Sequence, residues 1–370
     1  MSGLDPRAMR KVNSSAVLDV LYRNEAMTMA AIGGLTGLSR RTVELILGEL
    51  EAQGWVRVLP AEVNHARGRP ARLFEFRPEA GSVLAVNIAH DYTSVTAANL
   101  HGDPIAAETV YVEGEPERDE RIALTRATIH RVLDAAGLKA ADVSAVTVAT
   151  PGNVNDKGAV DVRLSMLGWI GFSLAEEFAD DFTCAVKVEN DAKLAVRGEL
   201  WRGATPGADH VVWLMLAGVH HGLGIAVAGK PYRGVNGAAG ETTWAQNLGL
   251  DALQDARLSE LGEPNQAAGF AKRAHAGDAA ALAVLDEFAD VVARGLSSLA
   301  WILAPRFAVL GGSTSALLGE LLLDRVRLRF AESGPDFVEV RLSSLGDSAI
   351  TVGAIRRALD DVERTLFPST

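Results

Sequence analysis

Apolar residues at helical spacing open the chain. SSAVLDVLY, residues 14–22, has that period, and TMAAIGGLTGLSRRTVELILGELEAQGW follows it. Val43, Ile46, Leu47 and Leu50 fall at i, i+3, i+4 and i+7, one buried stripe of a helix. Ser39, just before it, is a good N-cap residue. Gly33 and Gly37 are small where an earlier helix must pack closely and turn, and with Val43 they have the spacing of a bihelical DNA-binding unit. WVRVL and ARLFEFR then alternate in period two around the basic tip PAEVNHARGRP, which predicts two strands and a wing.

After residue 81 the pattern changes to strands alternating with helices. LAVNIAHDYTSVTAANLHGDPIAA, from residue 84, resembles VVWLMLAGVHHGLGIAVAGKPYRG, from 211. Each is an apolar strand, a polar or glycine-containing turn, a second apolar strand, then Gly-Asp-Pro or Gly-Lys-Pro. A weak repeat of this kind predicts two similar α/β lobes facing one cleft. AVTVATPGNVNDKG, AVKVENDAKLAVRGELWRG and PRFAVLGGSTSALL each end a strand in polar or glycine residues, where open α/β sheets bind ligands.

With Val43, Ile46 and Leu47 buried, Arg40, Arg41 and Glu44 must face outward, near the helix end that meets base edges in a major groove. Ser39, Arg40, Arg41, Thr42 and Glu44 are the candidate DNA contacts on this helix. Arg67 and Arg69 at the wing tip suit a minor groove or phosphates. Charge is divided accordingly. Residues 1–80 carry net +2, whereas the remainder carries net −13. Only the head is suited to a polyanion. The alternative is a helical protein-interaction module with solvated arginines.

Length and composition narrow the setting. A chain of 370 residues allows two or three domains, and 22% charged residues is ordinary for a soluble protein. Cys184 is the single cysteine, which excludes an internal disulfide and a cysteine-rich zinc site and suits a reducing cytoplasm. The N-terminal residues MSGLDPRAMRKVNSS contain no apolar run of a signal peptide. The most apolar stretch, 211–229, is broken by His220, His221 and glycines, so it reads as a β-hairpin rather than a membrane span. A cytoplasmic location without a membrane partner is expected.

These residues resemble the ROK family of repressors, open reading frames and sugar kinases. The resemblance covers nearly all of the chain. It rests on Thr150–Gly152, LGW at 167–169, VENDA at 188–192, GAAGE at 237–241 and VLGG at 309–312. It implies an actin-like, RNase H-like two-lobed α/β fold behind a winged helix-turn-helix. The expected domains are 1–80 for the head, 81–200 for one lobe and 201–370 for the other. The C-terminal helix is expected to pack back on the first lobe.

The departures from the family matter as much. The kinases' Asp-x-Gly-Gly-Thr turn is replaced by Asn87, Ala89, His90 and Asp91, which put side chains and a negative charge where phosphate would approach. The second Gly-Thr-Gly loop reads Gly218, Val219, His220. Phosphoryl transfer is positioning and charge neutralisation, so kinase activity, catalytic residues and a nucleotide cofactor are not expected. The family's zinc site is not expected either, because Trp244 stands for its histidine and no cysteines follow.

For a sugar, the resemblance carries over Gly152, Asn190, Asp191 and Glu241, with Ser165 and Trp244 as deviating contacts. Asn190 and Asp191 also suit a helix N-terminus, and Glu241 suits a salt bridge. Trp169 reads as core. The expected function is a DNA-binding regulator, acting as a homodimer, with a tetramer as the alternative, on operator DNA. A sugar or sugar derivative is the expected effector. The rival readings are a sugar kinase and a DNA-binding dimer with a relic pocket.

Overall fold

The computed structural model describes residues 6–59, 72–112, 114, 116–160, 166, 168–217, 220–242, 245, 248–254 and 264–368. Arg67, Arg69, Ser165 and Trp244 lie outside them. The described chain divides into two compact units.

The first unit contains the head. Its elements are α1 (Pro6–Arg23), β1 (Met27–Thr28), α2 (Met29–Thr36), α3 (Arg40–Ala52), β2 (Val56–Leu59) and β3 (Leu73–Phe76). The first helix is longer than the apolar pattern at 14–22. Thr28 caps α2 by accepting from the Ala31 amide, and Ser39 caps α3 from the Thr42 amide, each at 3.2 Å. Gly37 ends α2 at φ 69°, a left-handed turn that glycine enters without a Cβ penalty. The strands form an antiparallel sheet in the order β1-β3-β2, the winged-helix arrangement. Val17, Leu21, Ile32, Val43, Leu47 and Phe76 close its core.

This unit does not end at residue 80. It also takes in residues 98–103 and 359–370. The Tyr22 hydroxyl lies 3.0 Å from the Leu100 carbonyl and 2.8 Å from Glu363 Oε1, and its ring meets Phe367. Ser15 donates to the Leu366 carbonyl at 2.9 Å.

The second unit holds two five-stranded sheets. In the first part run β4 (Ser82–Ile88), β5 (Tyr92–Asn99), β6 (Pro104–Tyr111), α4 (Arg118–Ala136), β7 (Val143–Thr150), α5 (Leu174–Glu177), β8 (Val186–Asn190) and α6 (Asp191–Arg202). Then follow β9 (Val211–Ala217), β10 (His220–Val227), β11 (Lys230–Pro231), α7 (Pro264–His275), α8 (Ala279–Leu303), β12 (Phe307–Gly311), α9 (Ser313–Leu318), α10 (Glu320–Ser333), β13 (Glu339–Leu342) and α11 (Ala349–Leu366), which belongs to this unit up to Ala358. The sheet orders are β6-β5-β4-β7-β8 and β11-β10-β9-β12-β13. In both, the third, second, first, fourth and fifth strands stand side by side, so the repeat in the sequence is a repeat of topology. β7–β8, β9–β12 and β12–β13 are parallel.

Each sheet has its own core, one around Val86, Val148 and fully buried Trp169, the other around Leu214, Phe288 and Leu310. The Trp169 indole donates to Thr150 Oγ1 at 3.0 Å, so it is a core residue with a satisfied N–H. Helices α6 and α11 cross with no side chains between them. A Cβ at Gly353 would overlap the Leu194 carbonyl, and one at Gly198 would meet the Ala349 carbonyl oxygen. No helix among the described residues is long and apolar enough to cross a membrane.

Candidate DNA-binding face and candidate sugar site

Helix α3 turns Val43, Ile46, Leu47 and Leu50 into the head core and leaves Arg40, Arg41 and Glu44 exposed. Its first turn holds no acidic residue. Two arginines at the positive end of a helix dipole are unfavourable unless an anion is near. Elsewhere in the head Arg10, Arg23, Arg57 and Arg77 are each tied to a carboxylate. Arg40 and Arg41 have no such partner among the described residues. Ser39 and Thr42 face each other, their hydroxyls 2.8 Å apart.

One residue from each of the two altered turns, His90 and His220, meets the other in the second unit. His90, between β4 and β5, stacks on His220, at the start of β10, with ring centroids 4.3 Å apart and planes 9° from parallel. The Arg121 side chain is buried, and it donates to the carbonyls of Ala89 at 2.6 Å and His90 at 2.9 Å. Its guanidinium is thus turned to backbone oxygens of the turn.

Burial, with His220 and Arg121 nearby, lowers the His90 pKa from 6.5 to about 4. The unfolded chain therefore takes up a proton near pH 6.5 and the folded one only near pH 4. Stability is lost as pH falls through that window, by at most about 3.5 kcal/mol at about 1.4 kcal/mol per pK unit. Urea denaturation at pH 5 and pH 7 tests this. Wild type is expected to lose more stability between them than His90→Gln; equal losses would refute the assignment.

The residues expected to hold a sugar gather at the junction of β8 and α6. Asn190 is the N-cap of α6: its Oδ1 accepts from the Lys193 amide at 3.1 Å, and its Nδ2 donates to the Gly152 carbonyl at 3.0 Å. Asp191 Oδ1 accepts from the Ala192 amide at 2.7 Å and from Asn190 Nδ2 at 3.1 Å. The carboxyl is buried, and desolvation pushes its pKa up to about 7, against the pull of the Ala192 amide and Lys193. Asn190, Asp191 and Gly152 are therefore together. The capping role open to Asn190 in the sequence is filled as well.

Glu241 joins them through Lys193, whose Nζ lies 3.7 Å from Glu241 Oε1. Lys193 is only 2% exposed, and burial pulls its pKa down. Burial raises that of Glu241, with Lys193 opposing. This buried cation was missed in the sequence, where a lysine in a helix's first turn reads as solvated. Asn153 was also missed: it is 4% exposed and its Oδ1 has no partner among the described residues. Arg233 braces the rear, with Nε 2.8 Å from Glu189 Oε2 and Nη2 donating to the Val154 carbonyl at 3.0 Å. The cluster presents one titrating carboxyl, one paired carboxylate and amide oxygens, suited to accepting from hydroxyls. Among the described residues there is no cluster of histidine, cysteine and carboxylates that could hold a metal ion.

Comparison with known proteins places this geometry. Residues 83–246 match the ROK family. The chain is similar to a xylose repressor of Caldicellulosiruptor bescii, 21% identical, with 96% of this chain and 97% of that protein aligned. In fold it is similar to a ROK family transcriptional regulator, a homologue of the E. coli MLC protein. That match has a TM-score of 0.70 at 16% identity and covers 97% and 99% of the two chains. A ROK glucokinase of Streptomyces griseus, in complex with glucose and AMPPNP, matches 76% of this chain and all of its own length, with a TM-score of 0.64 at 24% identity. The two lobes have the actin-like sugar-kinase fold, residues 83–246 match the ROK family, and the antiparallel sheet of the head has the winged-helix order.

Proposed function

We propose that this protein is a sugar-responsive transcriptional regulator of the ROK family, acting as a repressor. Its winged helix binds operator DNA as a homodimer on an inverted repeat, with a tetramer as the larger alternative. The observation that carries this is the start of α3, where Arg40 and Arg41 stand without carboxylate partners at the positive end of the helix. A polyanion at that end removes the electrostatic penalty. Near full-length similarity to a xylose repressor supports the same reading. Arg67 and Arg69 of the wing add phosphate or minor-groove contacts, and the location is cytoplasmic.

The effector is a sugar held by Gly152, Asn190, Asp191 and Glu241, with Ser165 and Trp244 completing the site. Binding acts by preferring one of two lobe arrangements, since only differential affinity shifts an equilibrium. Kinase activity is lost in this reading. That loss is supported by the stack of His90 on His220 and by Arg121, whose guanidinium is committed to the carbonyls of Ala89 and His90. The kinase relatives keep phosphoryl transfer as the second reading.

Two measurements test the proposal. Arg41→Ala should weaken operator binding by about 1–3 kcal/mol and blunt base preference, while Arg69→Ala should weaken it evenly across sequences. Gel-shift titrations in which both variants bind like wild type would sink the DNA-binding reading. An ADP-release assay over hexoses and amino sugars with magnesium should show no turnover. Turnover that disappears in Asp191→Asn would establish a kinase instead.

A further inference from the structure

The exposed side of α3 breaks two rules of a solvated helix. Its outward stripe is Arg41, Glu44, Leu45 and Gly48, at i, i+3, i+4 and i+7, opposite the buried Val43, Ile46, Leu47 and Leu50. Leu45 is 58% exposed at the centre of that stripe. Gly48 lies in the interior of a 13-residue helix, where it costs about 1 kcal/mol relative to alanine. Nothing among the described residues requires the glycine: a Cβ there would meet none of their atoms within 4 Å. An apolar residue on the polar side and an unneeded glycine one turn away are local choices against folding, and such choices gather at functional surfaces.

Charge says what covers the stripe. Arg41 within it and Arg40 beside it have no carboxylate partners among the described residues, at the positive end of α3, so the occupant is anionic. Duplex DNA also offers Leu45 its one apolar group in the major groove, the thymine methyl. We propose that Leu45 packs on a thymine methyl and that Gly48 lets α3 close on the groove. The operator half-site then carries an A·T pair near the base pair read by Arg41. Four residues of α-helix advance about 6 Å, which is about two base-pair steps of about 3.4 Å. The inference rests on the reading of the head as operator-binding and adds which base pair it requires.

The test uses the full-length protein. Selection from a duplex library with a randomised core yields the preferred site, and each thymine in it is then replaced by deoxyuridine, which removes only the methyl group. One thymine per half-site is expected to lower wild-type affinity about fourfold when replaced and to have no effect on Leu45→Ala. Gly48→Leu should fold with an unchanged or higher Tm and bind the site more than tenfold more weakly. If no thymine couples to Leu45, or if Gly48→Leu binds like wild type, the proposal is overturned while operator binding stands. If selection enriches no sequence, the operator-binding reading falls with it. If Leu45→Ala changes the oligomeric state in sedimentation, the stripe is a protein interface and the proposal fails.

Discussion

Asp191→Ala should produce a regulator that holds its operator and no longer answers sugar. The carboxyl is buried beside Asn190, with Lys193 and Glu241 near it. Deleting a charged acceptor there leaves a sugar hydroxyl unpaired, at about 1.5–3 kcal/mol, roughly ten- to a hundredfold in affinity. Operator affinity by fluorescence anisotropy, with and without a panel of pentoses and hexoses including D-xylose and D-glucose, reads both quantities. A wild-type sugar response in Asp191→Ala would mean that the signal enters elsewhere.

The same carboxyl makes the effect depend on pH. Its folded pKa is about 7 and its ordinary value 3.8. The ionised form is the stronger acceptor, so sugar affinity should rise from pH 6 to pH 8 in wild type and stay flat in Asp191→Asn. Stability runs the other way. The unfolded chain gives up this proton near pH 4 and the folded chain near pH 7. The stabilising contribution is full below about pH 4 and is lost as pH rises through 7. Asp191→Asn should therefore melt higher than wild type at pH 8 and alike at pH 4. A site that destabilises its own fold for a ligand's sake behaves in this way.

Gly353→Val should be among the most damaging single changes in the chain. Its Cβ would overlap the Leu194 carbonyl of α6, and backbone atoms on both sides of the crossing cannot step aside as a side chain would. Overpacking of this kind costs about 3 kcal/mol or more. Because α6 begins with Asn190 and Asp191, any parting of α6 from α11 also disturbs the sugar site. Circular-dichroism melts of Gly353→Val and Gly353→Ala give the measure. A melting temperature within a degree of wild type for valine would show that the crossing is looser than described.

Several features of this chain could be read before any coordinates. Ser39 as the cap of α3, the Val43–Leu50 stripe, the paired wing strands and the doubled hairpins all depend on residues within one or two turns of each other. Short-range periodicity and capping chemistry carry such information because local backbone preference and the core direction agree there. The family pattern added Gly152, Asn190, Asp191 and Glu241, and the structure brings them to one place. Arg67, Arg69, Ser165 and Trp244 lie outside the described residues.

What only the tertiary structure decided is which distant groups meet. Nothing near residue 90 indicates that its ring stacks on His220 rather than facing solvent. Nothing near Tyr22 indicates a hydrogen bond to Glu363, 341 residues away, so residues 359–370 were not counted with the head. Lys193 reads as a surface lysine until α6 is packed and its Nζ is set near Glu241. The reason is physical. Burial and charge pairing are properties of the space around a side chain, and that space is built by segments whose approach no local pattern encodes. The sequence by itself determined the elements, their polarity and the chemistry on offer; the packing decided which of those groups are desolvated, paired or left for a ligand.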